Sequence, residues 1–249
     1  MVQEYFLQKD RLEAYQGDIE EIEKLTDEQF RAKKEIDEAF AEGKNVLLHG
    51  VTSSGKTHIY LEKIEDVVAS EKNVLFLLPE ISLTKQIVQR LEKKYGKQLG
   101  FYHQKLTDFE RVEVWRRMKN NDIKILIGTR NALFLPFQNL GLIVIDEEHD
   151  SAYKPREVSP YFNAKDAAQI LAKFYSANLI LGSATPSVES YYLAKKEKLK
   201  YVLLAERFGN VKLPEFELIN FKEEQDSKKI IGNFSLKLID EIKKELEKK

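Results

Sequence analysis

Short apolar runs alternate with amphipathic segments from residue 45 onward, and this alternation limits how the chain can fold more than any other feature. The runs are apolar throughout, which is typical of strands buried on both faces of a parallel sheet. Segments with helical spacing separate them, as in βαβ units. The strand candidates are residues 45–48, 74–78, 124–127, 142–145, 179–181 and 202–204. The pattern predicts an α/β fold of three layers, with a mostly parallel central sheet between helices.

A phosphate-binding loop is predicted directly after the first strand candidate. Residues 50–57 read Gly-Val-Thr-Ser-Ser-Gly-Lys-Thr and fit the pattern G-x-x-x-x-G-K-[ST]. Such a loop wraps backbone N–H groups around phosphate oxygens, and glycine permits the close approach that this requires. Lys56 would place its charge on the β- and γ-phosphates, and Thr57 its hydroxyl on Mg²⁺. The predicted nucleotide-binding residues of the loop are Gly50, Thr52, Ser53, Ser54, Gly55, Lys56 and Thr57.

The surroundings of this loop support the prediction. Apolar residues between Thr57 and Ala69 repeat at the spacing of a helix face. The N-terminus of that helix would face the phosphates and add its dipole to the anion site. The alternative is an ordinary surface turn with Gly50 and Gly55 at its two ends.

Consecutive carboxylates end another strand candidate. Asp146, Glu147 and Glu148 follow the apolar run 142–145, and open α/β sheets carry their chemistry at the carboxyl ends of strands. Asp146 is suited to hold Mg²⁺, directly or through water. Glu147 is suited to orient or deprotonate the water that attacks the γ-phosphate. An acidic turn without catalytic function is the alternative.

Hydroxyl side chains end a further strand candidate. The string Gly-Ser-Ala-Thr-Pro at residues 182–186 follows the apolar run 179–181. A hydroxyl in this position, such as that of Thr185, can sense the γ-phosphate or the catalytic carboxylate. The alternative is a turn that leads into a helix N-cap.

Composition narrows the classes of partner and metal. Lys plus Arg (40) nearly balances Asp plus Glu (41), so the net charge of −1 leaves no overall electrostatic footprint for nucleic acid or an anionic membrane. The absence of cysteine excludes disulfides and thiolate zinc sites, and four histidines offer little for a metal cluster. No apolar run reaches membrane-spanning length, and residues 1–10 lack a signal-peptide pattern. We therefore expect a cytoplasmic protein without a membrane partner.

Helices are predicted between the strands and at both ends of the chain. Thr107 and Glu110 have the spacing of a capping box and open a helix through Met118. Residues 83–95 carry an apolar face. A strand is expected near 217–220 and a Lys/Glu-rich helix over 235–249, within which the chain ends, so we expect a truncated protein.

The strings described above, together with two others, resemble the motifs of superfamily 2 helicases and occur in the order of that family. The motifs are I at 50–57, Ia at 78–84 (Leu-Pro-Glu-Ile-Ser-Leu-Thr), Ib at 128–134 (Gly-Thr-Arg-Asn-Ala-Leu-Phe), II at 146–149 (Asp-Glu-Glu-His) and III at 182–186. Motif Ib and the run Asp-Glu-Glu-His-Asp-Ser narrow the resemblance to the primosomal helicases that restart stalled replication forks. The resemblance implies a RecA-like P-loop NTPase lobe.

The same resemblance implies ATP and Mg²⁺ as cofactors. Gln29, in the string Leu-Thr-Asp-Glu-Gln at 25–29, is similar to the glutamine that reads adenine in these enzymes. An ordinary helix start, with Thr26 as N-cap, is the alternative, and both roles are compatible. The implied catalytic residues are Lys56, Asp146 and Glu147, and the implied Mg²⁺ ligands are Thr57 and Asp146.

Single-stranded or forked DNA is the implied substrate, with unwinding in the 3′ to 5′ direction. Thr84 and Arg130, in motifs Ia and Ib, are candidates to hold DNA phosphates. Tyr153, Tyr161 and Lys154 lie in a Pro-containing segment, residues 150–162, that resembles the family's aromatic-rich loop. A base would stack there on Tyr153, Tyr161 or Phe162, with Lys154 or Arg156 near a phosphate. The alternatives are a structural salt bridge for Arg130 and surface packing for the aromatic residues.

Three segments are predicted along the chain: a helical linker over 1–25, the ATP-binding lobe over 26–205, and a connector toward a second lobe over 206–249. Serine at position 53 replaces the family's usual glycine, and neither second-lobe motifs nor the family's cysteine cluster occur. The implied partners are the second lobe and the DNA-binding domains of the full-length protein, and other replication-restart proteins. A P-loop kinase or transferase, and a non-catalytic nucleotide-binding interaction module, remain as alternative functions.

Overall fold

The computed structural model describes residues 25–79, 85–155, 161–207, 218–227 and 229–247, and of Lys85 and Gln86 it describes the backbone alone. The chain divides into two compact units, Met1–Asn210 and Val211–Lys249. Residues 1–24 of the predicted linker, Thr84, most of motif Ia and part of the aromatic loop (156–160) lie outside the described residues.

A parallel sheet forms the centre of the first unit. Its strands are β1 (Val46–Gly50), β2 (Asn73–Leu77), β3 (Leu99–Tyr102), β4 (Ile125–Gly128), β5 (Leu140–Ile145), β6 (Asn178–Ser183) and β7 (Lys200–Leu204). Within the described ranges these seven strands lie in the order β3-β4-β2-β5-β6-β1-β7, and all neighbours pair in parallel. The predicted α/β fold with a mostly parallel sheet is confirmed.

Helices cover both faces of the sheet. They are α1 (Asp27–Ala41), α2 (Lys56–Ala69), α3 (Lys85–Tyr95), α4 (Asp108–Lys119), α5 (Ala164–Tyr175) and α6 (Val188–Lys195). Because successive strand residues face opposite sides, Val74 and Phe76 of β2 join the apolar core under α1, α2 and α3. Leu75 and Leu77 join the core under α4, α5 and α6. The three-layer prediction therefore holds.

Local capping signals explain where two of these helices begin. The side chain of Thr107 accepts a hydrogen bond from the backbone N–H of Glu110, whose carboxylate in turn accepts from the Thr107 backbone. This is the predicted capping box, and α4 ends close to the predicted Met118. Thr26 and Gln29 form a second capping box at the start of α1. No helix in the described part of the chain combines the length and apolar character that crossing a bilayer requires.

Strand β3 was not predicted. It lies at an edge of the sheet, and its last residues, Phe101 and Tyr102, are only partly buried. Gly100 interrupts its apolar pattern. Glycine is needed at this position because a Cβ atom there would lie 2.6 Å from Ile123 Cδ1. The strand therefore lacks the continuous apolar run that marks the central strands.

The second unit combines short strands with two helices in its described residues: α7 (Phe221–Asp226), β8 (Ile230–Ile231), β9 (Phe234–Ser235) and α8 (Leu236–Glu247). β8 and β9 pair in antiparallel fashion. Helix α8 matches the helix predicted over 235–249. The strand predicted near 217–220 is wrong for residues 218–220, because Asn220 is the N-cap of α7 and accepts a hydrogen bond from Lys222 N at 3.2 Å.

Candidate functional site

Three loops with chemically active side chains follow three neighbouring strands. β6 lies between β5 and β1 in the parallel sheet, so the segments that follow these strands leave the same edge. These segments are 50–57 after β1, 146–149 after β5 and 182–186 at the end of β6. A backbone hydrogen bond of 3.0 Å from Glu148 N to the Gly182 carbonyl joins the last two. The fold thus assembles motifs I, II and III into one site.

The loop 50–57 depends on both of its glycines. A Cβ atom on Gly50 would lie 2.5 Å from Ser54 Oγ and 2.8 Å from Lys56 Cγ. Gly55 has a φ of +82°, and a Cβ atom there would lie 2.0 Å from the side-chain nitrogen of Gln29. Because both contacts are far closer than a side chain can make, the loop folds this tightly only with glycine at positions 50 and 55.

The loop also has polar groups that suit a phosphate. Helix α2 begins directly after Gly55 and has no side-chain cap, so its first N–H groups are left for an anion. Ser54 Oγ is buried and has no hydrogen-bond partner among the described residues. Buried hydroxyls are normally satisfied. The glycine cradle, the uncapped helix and this hydroxyl together fit a nucleotide phosphate.

Lys56 spans the loop from its helical end. Its Nζ donates a hydrogen bond of 2.7 Å to the carbonyl of Gly50. Burial lowers the pKa of Lys56, while the charges of Asp146 and Glu147 raise it in part. The lysine therefore lies within the electrostatic reach of the motif II carboxylates.

Gln29 connects α1 to the same loop. It is 1% exposed, and its side-chain nitrogen donates to the Ser54 carbonyl at 3.2 Å. Its side-chain oxygen accepts from Thr26 N at 3.0 Å. The helix-start role of Gln29 is therefore present in the structure, and its role as the adenine reader stays a prediction.

Asp146 is held from three sides at the end of β5. Its backbone N–H donates to Leu77 O at 3.0 Å, and its carbonyl accepts from the Tyr153 hydroxyl at 2.8 Å. Its Oδ1 accepts a hydrogen bond of 3.0 Å from the hydroxyl of Tyr60. Burial raises the pKa of Asp146, the charge of Glu147 raises it further, and the hydrogen bond from Tyr60 lowers it. The carboxylate consequently has a fixed orientation.

Thr57 and Asp146, the predicted Mg²⁺ ligands, both belong to this site. In the described ranges, no group of three or more His, Asp or Glu side chains is arranged to bind a metal without help. Mg²⁺ in nucleotide enzymes commonly uses one or two protein oxygens, with phosphates and water completing its shell. The donor set present here suits a metal that binds together with a nucleotide.

Glu147 and the motif III hydroxyls meet through His149. The Glu147 side chain is 42% exposed, with Oε2 at 3.5 Å from His149 Nδ1. The same ring nitrogen lies 2.7 Å from Ser183 Oγ, and Nε2 lies 3.4 Å from Thr185 Oγ1. Thr185 N donates to Ser183 Oγ at 2.9 Å. No role for His149 was predicted, because only the folded chain shows which hydroxyls it contacts.

Glu148 has a different environment from its two acidic neighbours. Its side chain is fully buried and lies 2.7 Å from Lys165 Nζ. It also accepts hydrogen bonds from Ser187 N at 2.6 Å and Ser190 Oγ at 2.8 Å. Burial alone would raise the pKa of Glu148, but these donors lower it below its usual value. Glu148 thus ties motif II to α5 and to the start of α6, a role that sequence reasoning missed.

Arg130 and Phe134, which follow β4, form a cluster with Phe162, which lies just before α5. We call this the cluster after β4. Arg130 is 5% exposed, and its guanidinium lies 4.9 Å from the centre of the Phe162 ring. Phe134 packs edge-on against Phe162 with ring centres 5.0 Å apart, yet it remains largely exposed. Tyr161 is 68% exposed. Phe134 adds an exposed ring to the aromatic residues predicted from the sequence.

Tyr153 and Lys154 differ in accessibility. Tyr153 is 1% exposed, and its hydroxyl is committed to the Asp146 carbonyl. The prediction that Tyr153 stacks on a nucleic-acid base is therefore wrong, since the ring packs in the core beneath motif II. Lys154 is exposed and stays a candidate.

Comparison with known proteins identifies relatives of this chain. A family model described as DEAD/DEAH box helicase matches residues 27–193. The chain is 41% identical over 229 residues to replication restart protein PriA of Bacillus subtilis, covering 90% of this chain and 28% of that protein. It is 42% identical over 228 residues to PriA of Rickettsia prowazekii, covering 92% of this chain and 34% of that protein. The chain therefore spans about a third or less of the length of these relatives.

Solved structures show the same kind of lobe. The structure of RecG bound to a three-way DNA junction has a TM-score of 0.56 at 26% identity, covering 76% of this chain and 25% of that one. The DUF1998 helicase MrfA bound to DNA has a TM-score of 0.52 at 18% identity, covering 74% of this chain and 27% of that one, and shares the fold. Since the family model matches more than half of the residues and motifs I, II and III converge at one edge of the sheet, the chain belongs to the DEAD/DEAH box helicase family.

Proposed function

We propose that this chain is the ATP-binding motor lobe of a replication-restart DNA helicase of the PriA kind. The observation that carries the proposal is the convergence of motifs I, II and III on the neighbouring strands β1, β5 and β6. Similarity to PriA over 90% of the chain supports replication restart as the process. The ATP-binding lobe is proposed to occupy residues 26–205, and residues 206–249 to lead toward a second lobe.

The nucleotide would bind across the edge of the sheet. The backbone of residues 50–55 would hold the phosphates, with Thr52, Ser53 and Ser54 lining the loop and Lys56 supplying a positive charge. Thr57 and Asp146 would hold Mg²⁺, which would supply positive charge beside the phosphates. Glu147, partly exposed and beside His149, would orient the attacking water. Thr185 would report the state of the γ-phosphate to motif II through the His149 contact.

ATP is proposed as the nucleotide because of Gln29. Its amide already contacts the loop carbonyl of Ser54, so adenine recognition and loop conformation would be coupled through a single side chain. Binding of the adenine edge would require the amide to exchange or share one of its present hydrogen bonds.

Single-stranded DNA is proposed to cross the cluster after β4. Phe134 and Tyr161 offer exposed rings on which bases can stack, and such stacking is largely independent of sequence. Arg130 and Lys154 would contribute positive charge near the phosphates, with Thr84 as a further candidate. Unwinding in the 3′ to 5′ direction, forked DNA as substrate, replication-restart proteins as partners and a cytoplasmic location are part of the same proposal.

The test is nucleotide binding by a Lys56→Ala variant, measured with a fluorescent ATP analogue and Mg²⁺. We expect affinity to fall at least about tenfold, because hydrogen bonds to charged groups contribute roughly 1.5–3 kcal/mol. Lys173→Ala is the matched control, because Lys173 is exposed on α5 and carries the same charge. Equal affinity for the unsubstituted chain and the Lys56 variant would contradict the proposal.

The other candidate functions make different predictions. A P-loop kinase or transferase would share the loop and Mg²⁺, but it leaves the order of motifs Ia, Ib and III without a reason. A non-catalytic interaction module that only retains the fold predicts that Lys56→Ala changes neither nucleotide binding nor partner affinity. The Lys56 experiment therefore separates the module from both enzymes.

A further inference from the structure

Tyr60 places its hydroxyl against the motif II aspartate. The residue lies one turn into α2, directly beyond the phosphate loop, and its side chain is fully buried. Its hydroxyl donates a hydrogen bond of 3.0 Å to Asp146 Oδ1. Tyr60 thus connects the helix that begins at the phosphate loop with the carboxylate proposed to hold Mg²⁺.

The space for this hydroxyl comes from motif III. A Cβ atom on Gly182 would lie 1.6 Å from the Tyr60 hydroxyl oxygen and 2.8 Å from the ring carbon that carries it. The backbone angle at position 182 does not require glycine, because its φ is outside the left-handed region. Position 182 therefore needs glycine so that Tyr60 can reach Asp146. The three motif-bearing strands contribute to one contact: α2 after β1, Asp146 after β5 and Gly182 in β6.

The contact has a fixed geometry. The Tyr60 ring packs edge-on against Phe76, with ring centres 5.7 Å apart. A phenol is protonated at neutral pH. The hydroxyl of Tyr60 is therefore the donor and the Asp146 carboxylate the acceptor.

A purely structural role would not require the hydroxyl. The apolar core around Ile59 and Ile64 would accept a phenylalanine ring at position 60, and a buried hydroxyl is unfavourable unless it is hydrogen-bonded. Here its partner is one oxygen of a planar carboxylate, and holding that oxygen also fixes the direction of the other. Partners of metal ligands act in this way when they orient the ligand and tune its metal affinity.

We propose that Tyr60 is a positioning residue for Mg²⁺ binding, acting through its hydrogen bond to Asp146 in the space that Gly182 leaves. The inference rests on the proposed function, because it assumes that Asp146 helps to hold Mg²⁺ beside a bound nucleotide. Tyr60 itself touches neither metal nor nucleotide in this account. Its effect is therefore expected on the metal dependence of nucleotide binding and not on the phosphate loop.

The experiment measures the dissociation constant of a fluorescent ATP analogue with excess EDTA and with saturating Mg²⁺. The metal ratio is the dissociation constant in EDTA divided by that in Mg²⁺, and it reports how strongly the metal strengthens nucleotide binding. In Tyr60→Phe we expect this ratio to fall roughly tenfold, the lower range for loss of a partner of a metal ligand. The constant in EDTA should stay within about twofold of that of the unsubstituted chain. Gly182→Ala should lower the ratio in the same direction, because the added methyl group takes the space of the hydroxyl.

The matched control is Tyr175→Phe. The Tyr175 hydroxyl also donates to a single oxygen, the Phe137 carbonyl at 2.8 Å, but outside the site. The control should lose thermal stability without any change in the metal ratio. An unchanged ratio in Tyr60→Phe would overturn the inference. If the ratio were unchanged because both constants had weakened equally, the phosphate loop itself would have been disturbed. If the unsubstituted chain bound no nucleotide in Mg²⁺, the proposed function would fail first, and the inference with it.

Discussion

Ser53 has a backbone conformation that serine seldom adopts. Its φ is +63°, in the left-handed region, where a side chain costs roughly 1–2 kcal/mol. The helicases that this chain resembles usually have glycine there, and glycine has no such cost. The exposed Ser53 side chain makes no hydrogen bond that the structure records, so this strain is not offset locally.

Ser53→Gly should therefore stabilise the chain. We expect a gain of about 0.5–1 kcal/mol in the free energy of unfolding, because relief of strain exceeds the entropy that glycine adds to the unfolded chain. Urea unfolding measures the change. Ser70→Gly is the control: Ser70 is exposed with a φ of −87°, so the same substitution should destabilise. A Ser53→Gly variant less stable than the unsubstituted chain would contradict the argument.

The consecutive carboxylates show what residue order can predict and what it cannot. Asp146, Glu147 and Glu148 were predicted together as an acidic group at the end of a strand. In the structure Asp146 is fixed by hydrogen bonds, Glu147 is partly exposed, and Glu148 is buried against Lys165. Their separation follows from a turn in which Glu147 has a φ of +48°. The amino-acid sequence alone does not indicate that turn.

At the scale of elements, Lys63 links α1 to α2. Its side chain is 7% exposed and forms ion pairs with Asp37 of α1 and Asp66 of its own helix. Burial opposes the charge of Lys63, but the hydrogen bonds to both carboxylates raise its pKa. Burial would likewise raise the pKa of Asp66, but Lys63 and Lys33 lower it. The pairs therefore stabilise the contact between the helices when all of these groups are charged.

The Lys63 prediction concerns stability and its dependence on pH. Lys63→Met keeps the side-chain volume and should lower the free energy of unfolding by about 1 kcal/mol near neutral pH, since the carboxylates are about half exposed and screened. A lowered pKa of Asp66 means that its contribution is present above the ordinary value of 3.8 and is lost as the pH falls through the lowered value. The raised pKa of Lys63 means that its contribution is present below 10.5 and is lost above the raised value. The difference between variant and unsubstituted chain should thus shrink on acidification below the ordinary Asp pKa.

Urea titrations on both sides of that pKa measure the difference. Lys34→Met is the control, because Lys34 is on α1, the helix of Asp37, and its ion pair with Glu38 is largely exposed. Its effect should remain within about 0.5 kcal/mol. A Lys63 effect that is unchanged in acid would show that the lost stability is not electrostatic.

Helix starts were predictable at this scale, whereas one strand was not. The capping box of α4 consists of Thr107 and Glu110, which are three positions apart, so its signal is local. β3 is defined by its pairing with β4, which is distant along the chain. An edge strand with Gly100 in the middle has no comparable local signal.

At the scale of the whole molecule, we propose that the candidate site forms one wall of a nucleotide cleft. Lys56, Asp146 and Glu147 influence one another electrostatically at the carboxyl edge of the sheet. The family resemblance implies that arginines from a second lobe complete the charge stabilisation of the transition state. Such arginines are worth roughly 10³–10⁵ in rate in related phosphoryl-transfer enzymes.

We therefore expect this chain alone to bind ATP weakly and to hydrolyse it at roughly a thousandth or less of the rate of a complete helicase. Phosphate release with and without single-stranded DNA measures this, and Glu147→Gln gives the background. DNA should not stimulate the rate, because coupling needs both lobes. Hydrolysis at the rate of a complete helicase would contradict the prediction.

The fold class, the phosphate loop and the order of the motifs follow from the amino-acid sequence alone. These depend on local requirements: apolar runs for buried strands, glycine where the backbone must come close to phosphate, and caps where helices begin. Such requirements are met within a few neighbouring residues, so they can be identified without coordinates.

Only the tertiary structure decided which distant side chains meet. Tyr60 and Asp146 are 86 positions apart, yet they share a hydrogen bond in space that Gly182 leaves. Tyr153 proved to be part of the core, and Glu148 proved to anchor α5 and α6. The physical reason is the strand order, since placing β6 between β5 and β1 brings together side chains that no local pattern relates.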